Sequence, residues 1–93
     1  MPWLYLLKCI DGSYYTGTTG DLERRFAEHQ PGMPGSFTWK RRPVVLVFSE
    51  EFSSWSEAIE REMQIKGWSR KKKEALIRGD WDQLRELARG RIR

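Results

Sequence analysis

Residues 3–29 read WLYLLKCIDGSYYTGTTGDLERRFAEH, and this stretch decides the fold. Aromatic and aliphatic side chains over residues 3–9 predict a strand, and Asp11-Gly12 is a strong hairpin turn signal. Residues 14–18 predict the partner strand. A helix is predicted over 21–29, because its acidic first residue favours the N-terminal end of a helix dipole. The chain therefore begins with a β-hairpin that is followed by a helix.

The middle of the chain predicts a loop and then the strongest strand. Residues 30–37 read QPGMPGSF, and their prolines and glycines are typical of a loop. Residues 43–51 follow as a strand, because VVLVF over residues 44–48 is a continuous apolar run. Such a run is typical of a strand that is covered on both faces.

Capping residues predict three further helices. Ser54 followed by Glu57 fits a capping box, in which the two side chains satisfy the first backbone N–H groups of a helix. Glycine ends helices well, as Gly79 is expected to do here. The helices are predicted over 55–67, 70–78 and 81–88, with Ser54, Ser69 and Asp80 as caps and with residues 89–93 frayed.

The resulting order, β-β-α-β-α-α-α, predicts an α+β fold. We expect a small three-stranded, mostly antiparallel sheet flanked by helices. The 93 residues are enough for a single domain over 1–93, with its core in residues 2–77 and a C-terminal helix and basic tail in 80–93. The residues expected to be buried in this core include Cys9, Trp55, Trp68 and Trp81.

Composition narrows the class of protein. The formal charge of +4 and the pI near 9.5 fit a nucleic-acid partner. A lone cysteine cannot form an internal disulfide, which fits a reducing cytosol and a cytoplasmic location. No run of 18 apolar residues and no secretory-signal pattern occurs, so we expect no membrane association.

Two predicted helices carry charged or polar side chains within their apolar stripes. In the first, Arg25 and His29 recur at the same helical spacing as Leu22 and Phe26. In the second, Glu62 shares a stripe with the neighbouring apolar residues. An unpaired charge that faces a core is costly, and other charges already cover the wet faces. A cation, an imidazole and a carboxylate at the edge of a core indicate a site for an anionic substrate and a metal.

Several motifs, taken in order, resemble one family. The first strand holds Trp3-Leu4-Tyr5, and residues 15–29 read YTGTTGDLERRFAEH. Residues 42–44, RPV, lead into the third strand, and residues 56–58, SEA, open the next helix. Over about residues 2–77 the chain resembles the GIY-YIG nuclease domain, and most closely the small stand-alone bacterial proteins of that superfamily.

The resemblance implies metal-dependent cleavage of a phosphodiester bond, most often in DNA. Relatives in this superfamily include homing endonucleases, restriction enzymes, resolvases and a DNA repair subunit. The resemblance makes Glu62 the ligand of a divalent metal, Mg²⁺ or Mn²⁺, and Arg25 the contact to the scissile phosphate. Tyr5 and Tyr15 are the motif tyrosines, one of which acts as general base or positions water. His29 falls where members carry histidine or tyrosine.

The chain departs from the motif at several positions. Trp3 replaces the first motif glycine, and Thr16 replaces the isoleucine of the second motif. Thr18 stands where some members carry a lysine, which leaves the activation mechanism open. With one small domain, we expect a structure-dependent substrate or low sequence specificity.

Each candidate residue also has an ordinary structural interpretation. Tyr5 and Tyr15 occur in strands, where tyrosine is common. His29 at a helix end also complements the helix dipole. Arg25 and Glu62 could form a salt bridge between two helices.

Basic clusters supply a candidate nucleic-acid surface, although such clusters are also typical of solvated faces. Trp39 could stack on a base or pack at the entry to the third strand. The alternatives to a nuclease are a DNA- or RNA-binding module that does not cut, and a nuclease subunit whose protein partner supplies specificity. The candidate binding residues are Lys40, Arg41, Arg42, Lys66, Arg70, Lys71, Lys72 and Lys73.

Overall fold

The computed structural model describes residues 1–29 and 38–90, with side chains described up to residue 87. It confirms the α+β class and the predicted order of elements. The predicted loop over 30–37 and residues 91–93, the end of the segment predicted to fray, lie outside the described residues. The strands are β1 (Trp3–Lys8), β2 (Tyr14–Thr19) and β3 (Val45–Glu51), and the helices are α1 (Leu22–His29), α2 (Trp55–Lys66), α3 (Arg70–Arg78) and α4 (Trp81–Gly90).

The three strands form an antiparallel sheet in the order β2-β1-β3. β1 is therefore the central strand, and its residues Leu4, Tyr5, Leu6 and Leu7 are buried. The third strand is partly covered on both faces, as predicted, because Leu46 packs on the face of Tyr5 and Leu7 while Val47 and Phe48 pack on the face of Leu4 and Leu6. It lies at the edge of the sheet, and its first residue, Val45, is 58% exposed. An apolar run indicates burial, but it does not tell which strand pairs on both sides.

The two faces of the sheet have different coverings, because successive side chains of a strand point to opposite faces. Tyr5 and Leu7 point toward α1, where they form a cluster with Cys9 and Val44. Leu4 and Leu6 point the other way, against α2 and α3. Further residues that pack against these two clusters are Leu22 and Phe26 on the α1 side, and Ile65, Trp68 and Leu76 on the other side.

Short-range capping fixes where the later helices begin, as predicted. The Ser54 hydroxyl accepts from the backbone N–H of Glu57, and Ser69 and Asp80 cap α3 and α4 in the same way. Gly79 ends α3 in the left-handed conformation, with φ of 69°. α4 continues to Gly90, two residues beyond its predicted end. None of the described helices is long and apolar enough to cross a membrane.

The tryptophans divide between the core and the surface. Trp68 is half-buried and packs against the cluster below α2, as expected. Trp55 and Trp81 are 50% and 56% exposed, so their assignment to the core was wrong. Both are the first residues of their helices.

Candidate active site

Two tyrosines from adjacent strands meet on the α1 face of the sheet. Tyr5 of β1 pairs with Gly17 of β2, and the rings of Tyr5 and Tyr15 are 6.2 Å apart. A Cβ atom on Gly17 would lie 2.6 Å from the Tyr5 hydroxyl oxygen and 3.1 Å from the Tyr15 ring. The absence of a side chain at residue 17 therefore lets the Tyr5 ring lie against β2.

His29 joins these tyrosines from the end of α1. Its imidazole is 1% exposed, and its ring centre lies 5.3 Å from that of Tyr15. Nε2 is 3.3 Å from the Tyr5 hydroxyl, and Nδ1 is 2.7 Å from the Thr38 hydroxyl. The side chain thus points into the site, so it does more than complement the dipole at the end of α1.

Burial sets the protonation of both Tyr5 and His29. Burial, and next the neighbouring Tyr15, raise the pKa of Tyr5 to about 12, although the Arg25 guanidinium opposes this shift. Burial, with the positive charge of Arg25, lowers the pKa of His29. At neutral pH the phenol is therefore protonated and the imidazole is neutral. A neutral imidazole has one donor and one acceptor nitrogen, so Tyr5, His29 and Thr38 form a continuous hydrogen-bonded chain.

Arg25 places a positive charge beside this cluster. Its side chain is half-buried, and its Nε donates to Glu28 Oε1 over 3.2 Å. A polar cavity of about 360 Å³ lies alongside, wide enough for a phosphate group. The residues that line this cavity are Thr19, Gly20, Asp21, Arg24, Arg25 and Glu28.

Glu62 lies on α2, on the other side of β2. Its side chain is 16% exposed, Oε1 accepts from the Thr18 hydroxyl over 3.2 Å, and Oε2 is 2.8 Å from Lys66 Nζ. The interhelical salt bridge between Arg25 and Glu62 does not form, because each has a charged partner on its own helix. Glu62 raises the pKa of Lys66, and Tyr15 adds to that effect. Lys66 is therefore within electrostatic reach of both Glu62 and Tyr15.

The donor set fits a divalent cation that keeps most of its water. Among the residues that the structure describes, no group of three or more His, Cys, Asp or Glu side chains could hold a metal. Mg²⁺ is commonly bound through one or two carboxylates with several waters retained. Of the candidate site residues, Glu62 is the one whose carboxylate could hold such a cation, and its neighbour Lys66 lies at the surface.

Comparison with known proteins decides the family. A family model described as the GIY-YIG catalytic domain matches residues 1–75. The chain belongs to the GIY-YIG family. A UPF0213 protein of Halobacterium salinarum is 50% identical over 83% of this chain and 100% of its own length. One from Staphylococcus saprophyticus is 48% identical over 81% of this chain and 92% of its own length.

Solved structures of GIY-YIG relatives share the fold. The solution NMR structure of a UPF0213 protein from Bacillus halodurans is 42% identical, with a TM-score of 0.55 and 83% of each chain covered. A protein from E. faecalis, also solved by NMR, is 39% identical, with a TM-score of 0.58 over 83% of this chain and 82% of that chain. The predicted resemblance to small stand-alone GIY-YIG proteins is confirmed, and the chain is a member of a nuclease family.

One basic cluster of this GIY-YIG chain follows Thr38 directly. The Arg42 guanidinium lies 4.4 Å from the centre of the Trp39 ring, and its Nε donates to the Trp39 carbonyl oxygen. Arg41 pairs with Asp11 of the hairpin turn. Trp39, Lys40, Arg42 and Pro43 line an open cavity of about 580 Å³. The cluster therefore adjoins the residue that binds His29.

The second basic cluster, on α3, is divided between the surface and the interior. Arg70 pairs with Glu74 and lies over the Tyr14 ring, whereas Lys71 is exposed. Lys72 is buried, with its ammonium 4.4 Å from the centre of the Trp68 ring. Lys72 therefore contributes to packing. The other predicted binding residues of α3, the exposed Arg70 and Lys71 and the half-exposed Lys73, are the ones that a phosphate backbone can reach.

Two threonines of the site were not identified as site residues from the sequence. Thr18 was read as a departure from the motif, yet it is a hydrogen-bond partner of Glu62. Thr38 binds His29 from beyond the loop, and no periodic pattern connects the two positions. The alternation along β2 could have found Thr18, because it places Thr18 on the face opposite Tyr15.

Proposed function

We propose that this chain is a divalent-metal-dependent endonuclease that hydrolyses phosphodiester bonds, in DNA. The observation that supports the proposal is the presence of two chemically different groups of polar side chains, one on each side of β2. One half holds Tyr5, Tyr15, His29 and Arg25, and the other holds Glu62. Membership of a nuclease family supports the same reaction class.

The charged groups suit an anionic substrate. A phosphodiester repels hydroxide, so catalysis requires neutralisation of the charge that grows in the transition state. Arg25 binds the scissile phosphate, because a guanidinium donates two parallel hydrogen bonds to phosphate oxygens. Glu62 holds Mg²⁺ or Mn²⁺, which supplies Lewis-acid polarisation of a phosphoryl oxygen when bound.

The tyrosine–imidazole cluster handles the attacking water. A hydroxyl with a pKa of about 12 stays protonated at neutral pH, so Tyr5 orients water and passes on a proton rather than acting as a standing phenolate. His29 Nε2 contacts that hydroxyl and accepts the proton, while Nδ1–H donates to Thr38. Tyr15 packs on both rings and completes the wall of the site.

The basic residues outside this cluster hold the nucleic acid. Ammonium and guanidinium groups that contact phosphates release counter-ions, which makes such binding independent of sequence and sensitive to salt. One small domain with these contacts suits recognition of nucleic-acid shape or of an unpaired region. The residues assigned this role are Lys40, Arg41, Arg42, Lys66, Arg70, Lys71 and Lys73.

The test is a cleavage panel with purified protein. Labelled single-stranded, duplex, flapped and branched DNAs, together with RNA, are incubated with Mg²⁺, Mn²⁺ or EDTA. Glu62→Gln removes the metal carboxylate, and Glu60→Gln is the matched control, since Glu60 is an exposed carboxylate on the same helix. We expect metal-dependent cutting by the wild type and Glu60→Gln, and none by Glu62→Gln.

Other outcomes identify the alternatives. Salt-sensitive binding without cutting, equal for wild type and Glu62→Gln and unaffected by EDTA, would replace the nuclease with a binding module. Cutting that appears only after addition of a cell fraction would indicate a subunit that needs a protein partner. RNA as the preferred substrate would correct the assignment to DNA.

A further inference from the structure

Both carboxylate oxygens of Glu62 have protein partners, and one partner is a cation. Thr18 donates to Oε1, while Lys66 Nζ lies 2.8 Å from Oε2. A divalent cation bound through Oε2 would compete with this ammonium for the same oxygen. The ion pair is therefore part of any account of how Glu62 takes up metal.

The two partners differ in their freedom to move. The Glu62 side chain is largely buried, whereas that of Lys66 is 56% exposed. They lie one helical turn apart on α2, so a change of side-chain rotamer can carry the ammonium into solvent without any movement of the backbone. A largely buried carboxylate without a counter-ion is unfavourable, so an exchangeable cation stabilises it when no metal is bound.

We propose that Lys66 is a tethered counter-ion that holds the Glu62 carboxylate in place until a divalent cation displaces it. Metal uptake is then an exchange of one cation for another. This inference rests on the proposed metal role of Glu62. The displaced ammonium stays next to the site and becomes available to the phosphate backbone, which accounts for both roles of Lys66.

The exchange predicts an unusual direction for a substitution of Lys66. Loss of an ion pair between residues one helical turn apart changes an equilibrium by about twofold. Repulsion between the ammonium and a divalent cation adds to this, so Lys66→Met is expected to bind Mn²⁺ about three- to tenfold more tightly than wild type. A lysine that served only to hold the helix together would give no gain in metal affinity.

The experiment measures Mn²⁺ binding to the full chain without nucleic acid, from the electron paramagnetic resonance signal of free Mn²⁺. Lys66→Met is compared with Lys66→Arg, which retains the cation, and with Lys8→Met, which removes an exposed lysine at the end of β1. Thermal unfolding followed by circular dichroism establishes that each variant is folded. We expect tighter binding for Lys66→Met alone, and a lower half-saturating Mn²⁺ concentration when cleavage is assayed.

The possible failures are distinguishable. If Lys66→Met binds Mn²⁺ with wild-type or weaker affinity while Glu62→Gln has lost binding, the counter-ion role is wrong and the metal role of Glu62 stands. If Glu62→Gln binds as well as the wild type, or no chain binds Mn²⁺, the proposed metal site is wrong and the exchange falls with it. A gain for Lys8→Met equal to that for Lys66→Met would reduce the effect to net charge and overturn the inference.

Discussion

The polar side chains in the two halves of the candidate site differ in charge and in burial. On the α1 face, Tyr5, His29 and Thr38 are buried, carry no charge at neutral pH and satisfy one another through hydrogen bonds. On the α2 face, Glu62 and Lys66 are charged, closer to solvent and paired through one helical turn. A neutral buried chain is rigid because breaking it leaves an unsatisfied group. A charged pair near water can exchange partners at little cost.

The largest effect is expected from a substitution in the charged half of the site, at Glu62. Glu62→Gln removes the carboxylate proposed as the metal ligand while keeping the shape of the side chain and the bond from Thr18. We expect cleavage to fall by about a hundredfold or more, because a metal supplies several kcal/mol of transition-state stabilisation. Single-turnover cleavage measures the rate, and urea unfolding shows that stability is retained. Equal rates for Glu62→Gln and Glu60→Gln would contradict the assignment.

The second largest effect is expected from a substitution that displaces Tyr5 of the neutral half through a steric clash. A Cβ on Gly17 would lie 2.6 Å from the Tyr5 hydroxyl and 2.8 Å from its ring, so Gly17→Ala forces Tyr5 out of place. Overpacking of this kind costs about 1–3 kcal/mol in the free energy of unfolding, measured by urea denaturation. Gly67→Ala is the matched control, since its Cβ would meet only Gln64 O at 3.6 Å. Equal stability for the two variants would count against the observed packing of Tyr5.

His29, the single histidine of the chain, is expected to make the stability of the neutral half of the site depend on pH. Because burial lowers its pKa in the folded state, the unfolded chain binds the proton more readily. The contribution to stability is complete above the unfolded pKa near 6.5 and is lost as the pH falls toward the lower, folded pKa. Urea unfolding at pH 7 and pH 5 is expected to show a smaller loss for His29→Gln than for wild type. Identical losses of unfolding free energy in the two proteins would show that groups other than His29 cause the pH dependence.

The smallest expected effect comes from the threonines of β2 that face α2. Thr18→Val removes the hydrogen bond to Glu62 Oε1, and we expect less than about a tenfold rise in half-saturating Mn²⁺ concentration, since such a bond contributes about 0.5–1.5 kcal/mol. Thr16→Val is the matched control, because Thr16 Oγ1 is buried without a hydrogen-bond partner. Its replacement is expected to be neutral or stabilising in urea unfolding. A larger change in the half-saturating Mn²⁺ concentration for Thr16→Val than for Thr18→Val would contradict this prediction.

Local signals in the sequence predicted most of the fold. Hairpin and capping signals act over two to four residues, so the turn at Asp11-Gly12 and the helix starts after Ser54 and Ser69 were predictable. The position of β3 at the sheet edge was not, because strand order depends on long-range pairing that an apolar run does not encode. The exposure of Trp55 was missed because a helical stripe shows which residues share a face but not how far neighbouring elements cover that face.

The candidate site was predictable in its residues and less so in its connections. Tyr5, Tyr15 and His29 do meet, as the motif implied, but the part of Thr38 depends on a chain path across residues 30–37. The partner of Glu62 was within reach of the sequence, since Lys66 follows it by four residues on a predicted helix. The interhelical bridge to Arg25 was considered instead, although a partner on the same helix needs no tertiary folding to form.

The Tyr5 side chain occupies the space that a side chain at residue 17 would fill. Space gained at residue 5 is open to a side chain at residue 17, and the reverse is also true, because β1 and β2 are held at a fixed distance by their backbone hydrogen bonds. A library randomised at both positions should therefore return pairs of one large and one small side chain, and almost no pair that is large at both. The two positions therefore act as a single packing unit, although eleven residues lie between them along the chain.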